Sequence, residues 1–244
     1  MKKILFNDYF IFVKSLDDFN RSLMMNNIVK HLLIGLCSTF GLNSCTATGN
    51  EAKQTDKSEE TNIEMKTDGK KLVVFFSHAG ENYNVGNIEK GNTHIVADMI
   101  ADAIGADIFE IVPEKAYPAD SYDECIDIAK KELQADARPS IKGDVKIEDF
   151  DVVFIGYPNW WGNPPMCVYT FIEKHDWNGK TIIPFITHEG SGMGGTDLKI
   201  AVACEGANTL TGKGLAIQGK VAQENQASAQ KSVDSWLEQL GFKN

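Results

Sequence analysis

Positive charge is scarce in this sequence. Of 244 residues, 24 are Lys or Arg against 34 Asp or Glu, a formal net charge of −10, and no segment gathers the basic residues into a stripe. Nucleic-acid binding depends on clustered cations that displace counterions from phosphates, so that class of function is excluded. Cysteine is sparse too. Cys37, Cys45, Cys125, Cys167 and Cys204 form no CxxC pair and have no histidine at zinc-finger spacing, which removes a structural zinc. Cys125, Cys167 and Cys204 lie among apolar residues and read as small buried thiols. No internal repeat is visible, and no second domain of nicotinamide-binding type is expected from residues 1–244. No Ser, His and Asp fall at spacings that argue for a nucleophilic triad, and Glu189 beside His188 is too little for general acid–base work.

The N-terminal part also lacks a run of bilayer length. Leu32 to Leu42 is mainly apolar over about ten residues, the size of a signal-peptide core rather than a membrane span. A short segment carrying Lys30 precedes it and Leu42-Asn43-Ser44-Cys45 follows. That tetrad resembles a bacterial lipobox, whose cysteine is diacylated and becomes the new N-terminus. The expectation is an N-terminal extension plus lipoprotein signal peptide over 1–44, with translation starting at Met24 or Met25, and a membrane anchor at Cys45. A buried helix is the alternative, since residues 4–13 are also apolar. Residues 45–69 hold Lys, Glu, Thr, Asn and Gln with almost no large apolar side chain, the composition of a flexible tether.

From residue 70 to 244 the pattern alternates. Lys71 to Ser77 is a nearly continuous apolar run, as expected of a strand buried on both faces of a parallel sheet. Asn92-Thr93 offers an N-cap for a helix that carries Ile95, Val96, Met99, Ile100 and Ala103 inward and closes at Gly105. Asp107 to Val112 is the second strand. Asp120 or Ser121 can cap a helix with Tyr122, Cys125, Ile126, Ala129 and Leu133 inward. Asp151 to Gly156 is the third strand, Met166 to Lys174 a helix, and Thr181 to Thr187 the fourth strand despite Pro184, which removes a ladder donor. A helix over Thr196 to Cys204, a fifth strand over Thr209 to Ile217 and a helix over Gln223 to Leu240 complete the chain. Five strands alternating with helices predict a doubly wound α/β domain.

In such a sheet the loops after strands one, three and four emerge at one edge. Ser77 to Thr93 is rich in Ser, Gly, Asn and Thr and ends at a helix N-terminus, where hydroxyls, amides and the helix dipole suit a phosphate. Tyr157-Pro158-Asn159-Trp160-Trp161-Gly162-Asn163-Pro164-Pro165 places two of only four tryptophans on a turn. Thr187-His188-Glu189-Gly190-Ser191-Gly192 is polar and lets backbone approach a heterocycle closely. A phosphate grip, an aromatic wall and a polar edge together describe FMN. The blander reading has Trp160 and Trp161 packing over the sheet edge and His78 and His188 at the surface; His175 and Trp177 read as packing or surface.

The pattern F-S-H-x-G-E-N-Y … E-K-G-N-T, the Y-P-N-W-W-G loop and the T-H-E-G-S-G loop resemble the flavodoxin family, in its tryptophan-loop branch, over roughly Lys70 to Phe242. The resemblance implies a five-stranded parallel sheet in the order 2-1-3-4-5 with helices on both faces. It implies that Ser77, Asn92 and Thr93 bind the FMN phosphate, with Gly91 and His94 contributing backbone and His78 beside them. Trp160 or Trp161 stacks on the isoalloxazine, Pro158, Asn159 and Gly162 shape that wall, and Thr187, His188, Glu189, Gly190, Ser191 and Gly192 edge the ring. A peptide near Gly162 is expected to turn its carbonyl toward the flavin on reduction. The sequence departs from the family pattern in two places: an insertion, Glu81 to Lys90, splits the phosphate loop, and Asn163 stands where an acidic residue often does. The latter implies a less extreme low potential. The expected function is electron transfer between redox partner proteins from a lipid-anchored, exported position. The rivals are a small FMN-dependent NAD(P)H:quinone or nitro reductase and a flavodoxin-fold binding protein without flavin, and cytoplasmic placement is the alternative location.

Overall fold

The computed structural model describes residues 69–242. Cys45, the expected leader and all but the last residue of the expected tether lie outside the described residues. In chain order the elements are β1 (Lys71–Phe75), β2 (Gly80–Asn82), β3 (Gly86–Ile88), α1 (Asn92–Ile104), β4 (Asp107–Glu110), β5 (Val112–Pro113) and α2 (Tyr122–Gln134). There follow β6 (Ile141–Lys142), a 3-10 turn at Ile147–Asp149, β7 (Val152–Pro158), α3 (Met166–Ile172), β8 (Thr181–His188), α4 (Thr196–Ala203), β9 (Asn208–Thr209), β10 (Leu215–Gln218), α5 (Gly219–Glu224) and α6 (Gln226–Gln239).

The main sheet runs β10-β8-β7-β1-β4 with every neighbouring pair parallel, which is the order 2-1-3-4-5 anticipated for the five principal strands. Side chains alternate between its faces, as the period of two requires. Leu72, Val74, Val153, Ile155, Tyr157, Ile182 and Ile186 build one core with Cys125, Phe171 and Ile200 from α2, α3 and α4. Val73, Phe75, Phe154, Ile183 and Phe185 build the other with residues of α1 and α6. The helices therefore cover both faces. Both flanks of each central strand are apolar, which is why these strands read as unbroken hydrophobic runs. Gly156 is crowded rather than flexible: a β-carbon there would collide with the Phe185 ring.

Four elements depart from the sequence expectation. The fifth strand is interrupted. Asn208 and Thr209 pair with Thr181 and Ile182, and pairing resumes only at Leu215 with Phe185. The carbonyls of Lys180 and Ile182 accept from Asn208 and Leu210 on this side, so residue 184 faces the same neighbour. Pro184 has no N–H to offer it, and the neighbouring chain loops away. Val112 leaves the second strand to pair with Lys142 in a separate antiparallel ribbon. The last helix is two, divided at Asn225, whose side chain accepts from Ser228 N and caps α6. At α1 the N-cap is Gly91 and no side chain of the helix's own start caps it. Instead Ser77 Oγ, from the loop after β1, accepts from His94 N at 3.1 Å. Ser121 caps α2 as expected, by accepting from Glu124 N.

Candidate functional site

The loops after β1, β7 and β8 meet at the C-terminal edge of the sheet, where open α/β sheets leave a crevice. Between them lies a cleft of about 240 Å³ lined by Asn82, Tyr83, Asn92, Tyr122, Ile126, Pro158, Asn159, Trp160, Trp161, Thr187, His188 and Glu189. Eight of these were anticipated from the sequence. The inserted segment supplies two of the others. It folds as the β2–β3 hairpin, with Asn84 at φ 62° in the connection. Glu81 N donates to the Ala119 carbonyl at 2.6 Å, and Tyr122 N donates to Glu81 Oε2 at 2.8 Å, so the hairpin is tied to the start of α2. Tyr83 then stacks on Tyr122, 6.0 Å between ring centroids. Tyr122 and Ile126, read from the sequence as core, face the cleft instead. Cys125 and Ala129 are the fully buried members of α2.

The tryptophan wall is a tight turn. Trp160 N donates to Asn163 O at 3.0 Å and Asn163 N to Trp160 O at 3.1 Å. The two residues between them, Trp161 and Gly162, have φ of 58° and 72°. Two successive positive φ values define a type I′ connection, which glycine enters freely and a bulky residue enters at a cost of about 1–2 kcal/mol. Several bonds hold Trp161 there. Gly162 N donates to Asn159 Oδ1 at 2.8 Å, the Trp161 indole donates to Ile126 O at 3.0 Å, and Lys130 Nζ lies 4.9 Å above the indole. Trp160 is held by packing, with its ring near-perpendicular to Tyr117, Phe76 and His78 at 4.9, 5.3 and 6.0 Å. The Tyr117 hydroxyl is itself fixed by donating to Glu132 Oε2 at 2.6 Å.

The polar side of the cleft is cross-linked. Asn159 Nδ2 donates to Ser191 Oγ at 2.6 Å and Asn159 N to Thr187 O at 2.8 Å, joining the second and third loops. Thr187 Oγ1 lies 2.7 Å from Thr93 Oγ1 and both residues are buried, so the first and third loops are joined by a hydroxyl pair. Asn92 accepts from Gln223 Nε2 at 2.9 Å. Glu189 accepts from Lys220 N at 3.0 Å. His188 Nδ1 accepts from Gly190 N at 2.9 Å, which requires the neutral ring, and burial holds this imidazole below its ordinary range against the opposing pull of Glu189. Burial likewise depresses His78, opposed by the hydrogen bond its ring donates to the Pro118 carbonyl; its Nε2 is shielded and has no hydrogen-bond partner among the described residues.

The remaining anticipated residues fall as follows. Ser77 and Gly91 touch each other at the entry to α1, where a β-carbon on Gly91 would meet Ser77 Oγ and the His78 carbonyl. The His94 side chain points out of the cleft, toward Asp98 and Glu110. Gly162, Gly190 and Gly192 all have positive φ, and nothing stands where their β-carbons would be. His175 and Trp177 pack, as expected: the His175 ring lies 4.6 Å from Phe171 and the Trp177 indole donates to Ile172 O.

Residues 190 to 195 also spell G-x-G-x-x-G between a strand and a helix, a pattern that marks dinucleotide sites when the helix start is open to a pyrophosphate. Here the first turn of α4 holds Asp197, 6% exposed, whose carboxylate accepts from Gly212 N at 2.7 Å. A buried negative charge opposes a pyrophosphate at that position.

A parallel doubly wound sheet in the order 2-1-3-4-5, with a cleft at its C-terminal edge, defines the class of flavodoxin-like α/β folds. Within it, residues 70–240 match the Flavodoxin family, and the chain belongs to that family. No curated protein matches the sequence. Among solved structures it is similar to a candidate flavoprotein from Bacteroides uniformis ATCC 8492, at 28% identity and TM-score 0.56, over 70% of this chain and 98% of that one. It is similar to another from Bacteroides eggerthii DSM 20697, at 28% identity and TM-score 0.54, over 70% and 96%. A flavoprotein from Lactobacillus acidophilus NCFM, solved in complex with FMN, shares the fold at 23% identity and TM-score 0.50, over 68% and 97%.

Proposed function

We propose that the cleft binds FMN and that the chain carries electrons between partner proteins. The observation that supports this most is the convergence of Trp160, Trp161, Tyr83 and Tyr122 on one cleft whose other lining, Asn92 and Thr187 to Glu189, is polar. A flat aromatic ring with polar edges suits such a lining. The donor set fits as well. The start of α1 carries no acidic residue in its first turn, so its amides and dipole favour an anion, with Ser77, Gly91, Asn92 and Thr93 around it. Gly162, Gly190 and Gly192 leave room beside the cleft for backbone to follow a ring edge. Bound FMN supplies the one- and two-electron chemistry; the protein orients it and tunes it.

An electron carrier is favoured over a pyridine-nucleotide reductase by Asp197, which occupies the helix start that a dinucleotide phosphate would need. Location belongs to this proposal too: a lipid on Cys45 would hold the domain at a membrane of the cell envelope through the intervening tether. The test is an absorbance spectrum of the full chain with FMN, before and after NADPH, with and without a flavodoxin reductase. Flavin absorbance that bleaches only with the reductase is expected. Bleaching by NADPH alone moves the assignment to a reductase, and a chain that takes up no FMN overturns it. Fatty-acid labelling of wild type and Cys45→Ala tests the anchor: unchanged membrane partition without label loss ends that part of the proposal.

A further inference from the structure

We propose that Lys199 is a positioning residue that clamps one peptide of the tryptophan turn and thereby sets the spacing of the two one-electron potentials of the bound flavin. The inference rests on the FMN reading above. Lys199 stands on α4, reaches across from the β8 side of the cleft, and donates to two acceptors of the turn: Gly162 O at 2.9 Å and Asn163 Oδ1 at 2.8 Å. Asn163 is buried, and its amide nitrogen donates to the Pro164 carbonyl at 3.0 Å. One ammonium therefore ties the carbonyl of the turn's last peptide to the side chain that follows it.

The turn contains two peptides that could reverse, and the residues on either side decide which one can. Reversing the central Trp161–Gly162 peptide would leave Trp161 at positive φ with its ψ turned by half a revolution, a region only glycine occupies. It would also break the bond from Gly162 N to Asn159 Oδ1. The central peptide is thus fixed by its own tryptophan. The Gly162–Asn163 peptide has no such barrier on its N-terminal side, because Gly162 has open space where a side chain would be. What holds it is the turn's own bond from Asn163 N to Trp160 O and, on the carbonyl, Lys199.

Two consequences follow for a flavin against this wall. A Gly162 carbonyl engaged by Lys199 is not available as an acceptor for a protonated ring nitrogen. A cation beside the wall also favours negative charge on the ring. Bound FMN would supply two one-electron steps; an acceptor such as Gly162 O would favour the protonated ring of the first, and the Lys199 cation the negatively charged ring of the second. Removing Lys199 frees an acceptor that helps the first step and removes a cation that helps the second. The first potential rises and the second falls.

The experiment compares wild type, Lys199→Met and Lys199→Arg in the full chain. Dithionite titration of the FMN-loaded proteins in a spectroelectrochemical cell reads both potentials. Lys199→Met should raise the stability constant of the half-reduced protein by about tenfold, the size of one charge-assisted bond. Lys199→Arg, which keeps a charge and several donors, should stay near wild type. In the FMN-free proteins, hydrogen exchange at the Asn163 amide should quicken by about tenfold in Lys199→Met and not in Lys199→Arg, while the Gly162 amide, held by Asn159, should not change in either. Unchanged spacing of the potentials overturns the inference, whether or not exchange quickens. A wild-type chain that takes up no FMN overturns the flavin reading and this inference together. That outcome is distinct from failure of the inference alone, in which FMN binds and the spacing does not move.

Discussion

Trp160 and Trp161 are neighbours in sequence and line the same cleft, yet they are held by opposite means. Trp160 sits on the core through ring contacts with Phe76, Tyr117 and His78, at an ordinary backbone conformation. Trp161 is 51% exposed, stands at positive φ, and is steadied by one indole hydrogen bond and one lysine. Packing on several rings fixes an orientation more firmly than a single tether at the surface, so Trp160 is a preorganised platform and Trp161 an adjustable cover. A pair of identical residues can therefore divide affinity unequally according to what stands behind each.

Alanine at each position gives the largest expected difference. Trp160→Ala removes a half-buried ring from the edge of the core and should cost about 2–3 kcal/mol of stability, with FMN affinity down about a hundredfold. Trp161→Ala should leave stability within about 0.5 kcal/mol and lower affinity about tenfold. Urea unfolding and fluorescence-quenching titration with FMN measure both. Equal losses at the two positions would break the distinction between platform and cover.

A smaller effect isolates the backbone of the cover. Trp161→Gly and Trp161→Ala delete the same indole and differ only in how readily the residue accepts positive φ. Glycine should be the more stable of the two by about 1 kcal/mol, because the turn's geometry no longer works against a β-carbon. If alanine unfolds at the same urea concentration, Trp161 is not strained and the bonds around it need no such explanation.

The sheet was legible because its physics is local: strands covered on both sides must be continuously apolar, and Lys71 to Ser77, Asp151 to Gly156 and Thr181 to Thr187 are. Most of the cleft was legible for a related reason, since parallel strands send their following loops to one edge. What could not be read depends on partners distant in sequence. Ser77 caps α1 from 17 residues away, through His94 N. Pro184 was visible as a defect in its own strand, but its consequence fell on the neighbouring one, between Thr209 and Leu215. Tyr83 became a wall only because Glu81 ties the inserted hairpin to Ala119 and to Tyr122 at the start of α2, a contact nothing in the insertion announces. Asn225, by contrast, is an ordinary N-cap residue with Ser228 three positions on, and the division of the last helix was available from that alone.

Acidity offers the subtlest way to separate the two indoles, because a histidine stands behind one and not the other. His78 faces Trp160, and its burial favours the neutral ring, so its pKa in the folded protein is below that of the unfolded chain. As pH falls the unfolded chain takes up the proton first. The stabilisation is therefore complete above the ordinary imidazole value of about 6.5 and is lost as pH descends through the lower folded value. His175 and His188 are shifted in the same direction and add to the slope. His78→Gln should flatten the fall in urea midpoint between neutral pH and pH 5 by less than about 1 kcal/mol, since the ring is only partly buried. The sharper reading is local: in the Trp161→Phe background, where Trp160 is the indole left in the turn, acidification should change the tryptophan emission, and in the Trp160→Phe background it should not. Emission that shifts equally in both would mean that protonation loosens the whole edge of the sheet rather than the platform that His78 supports.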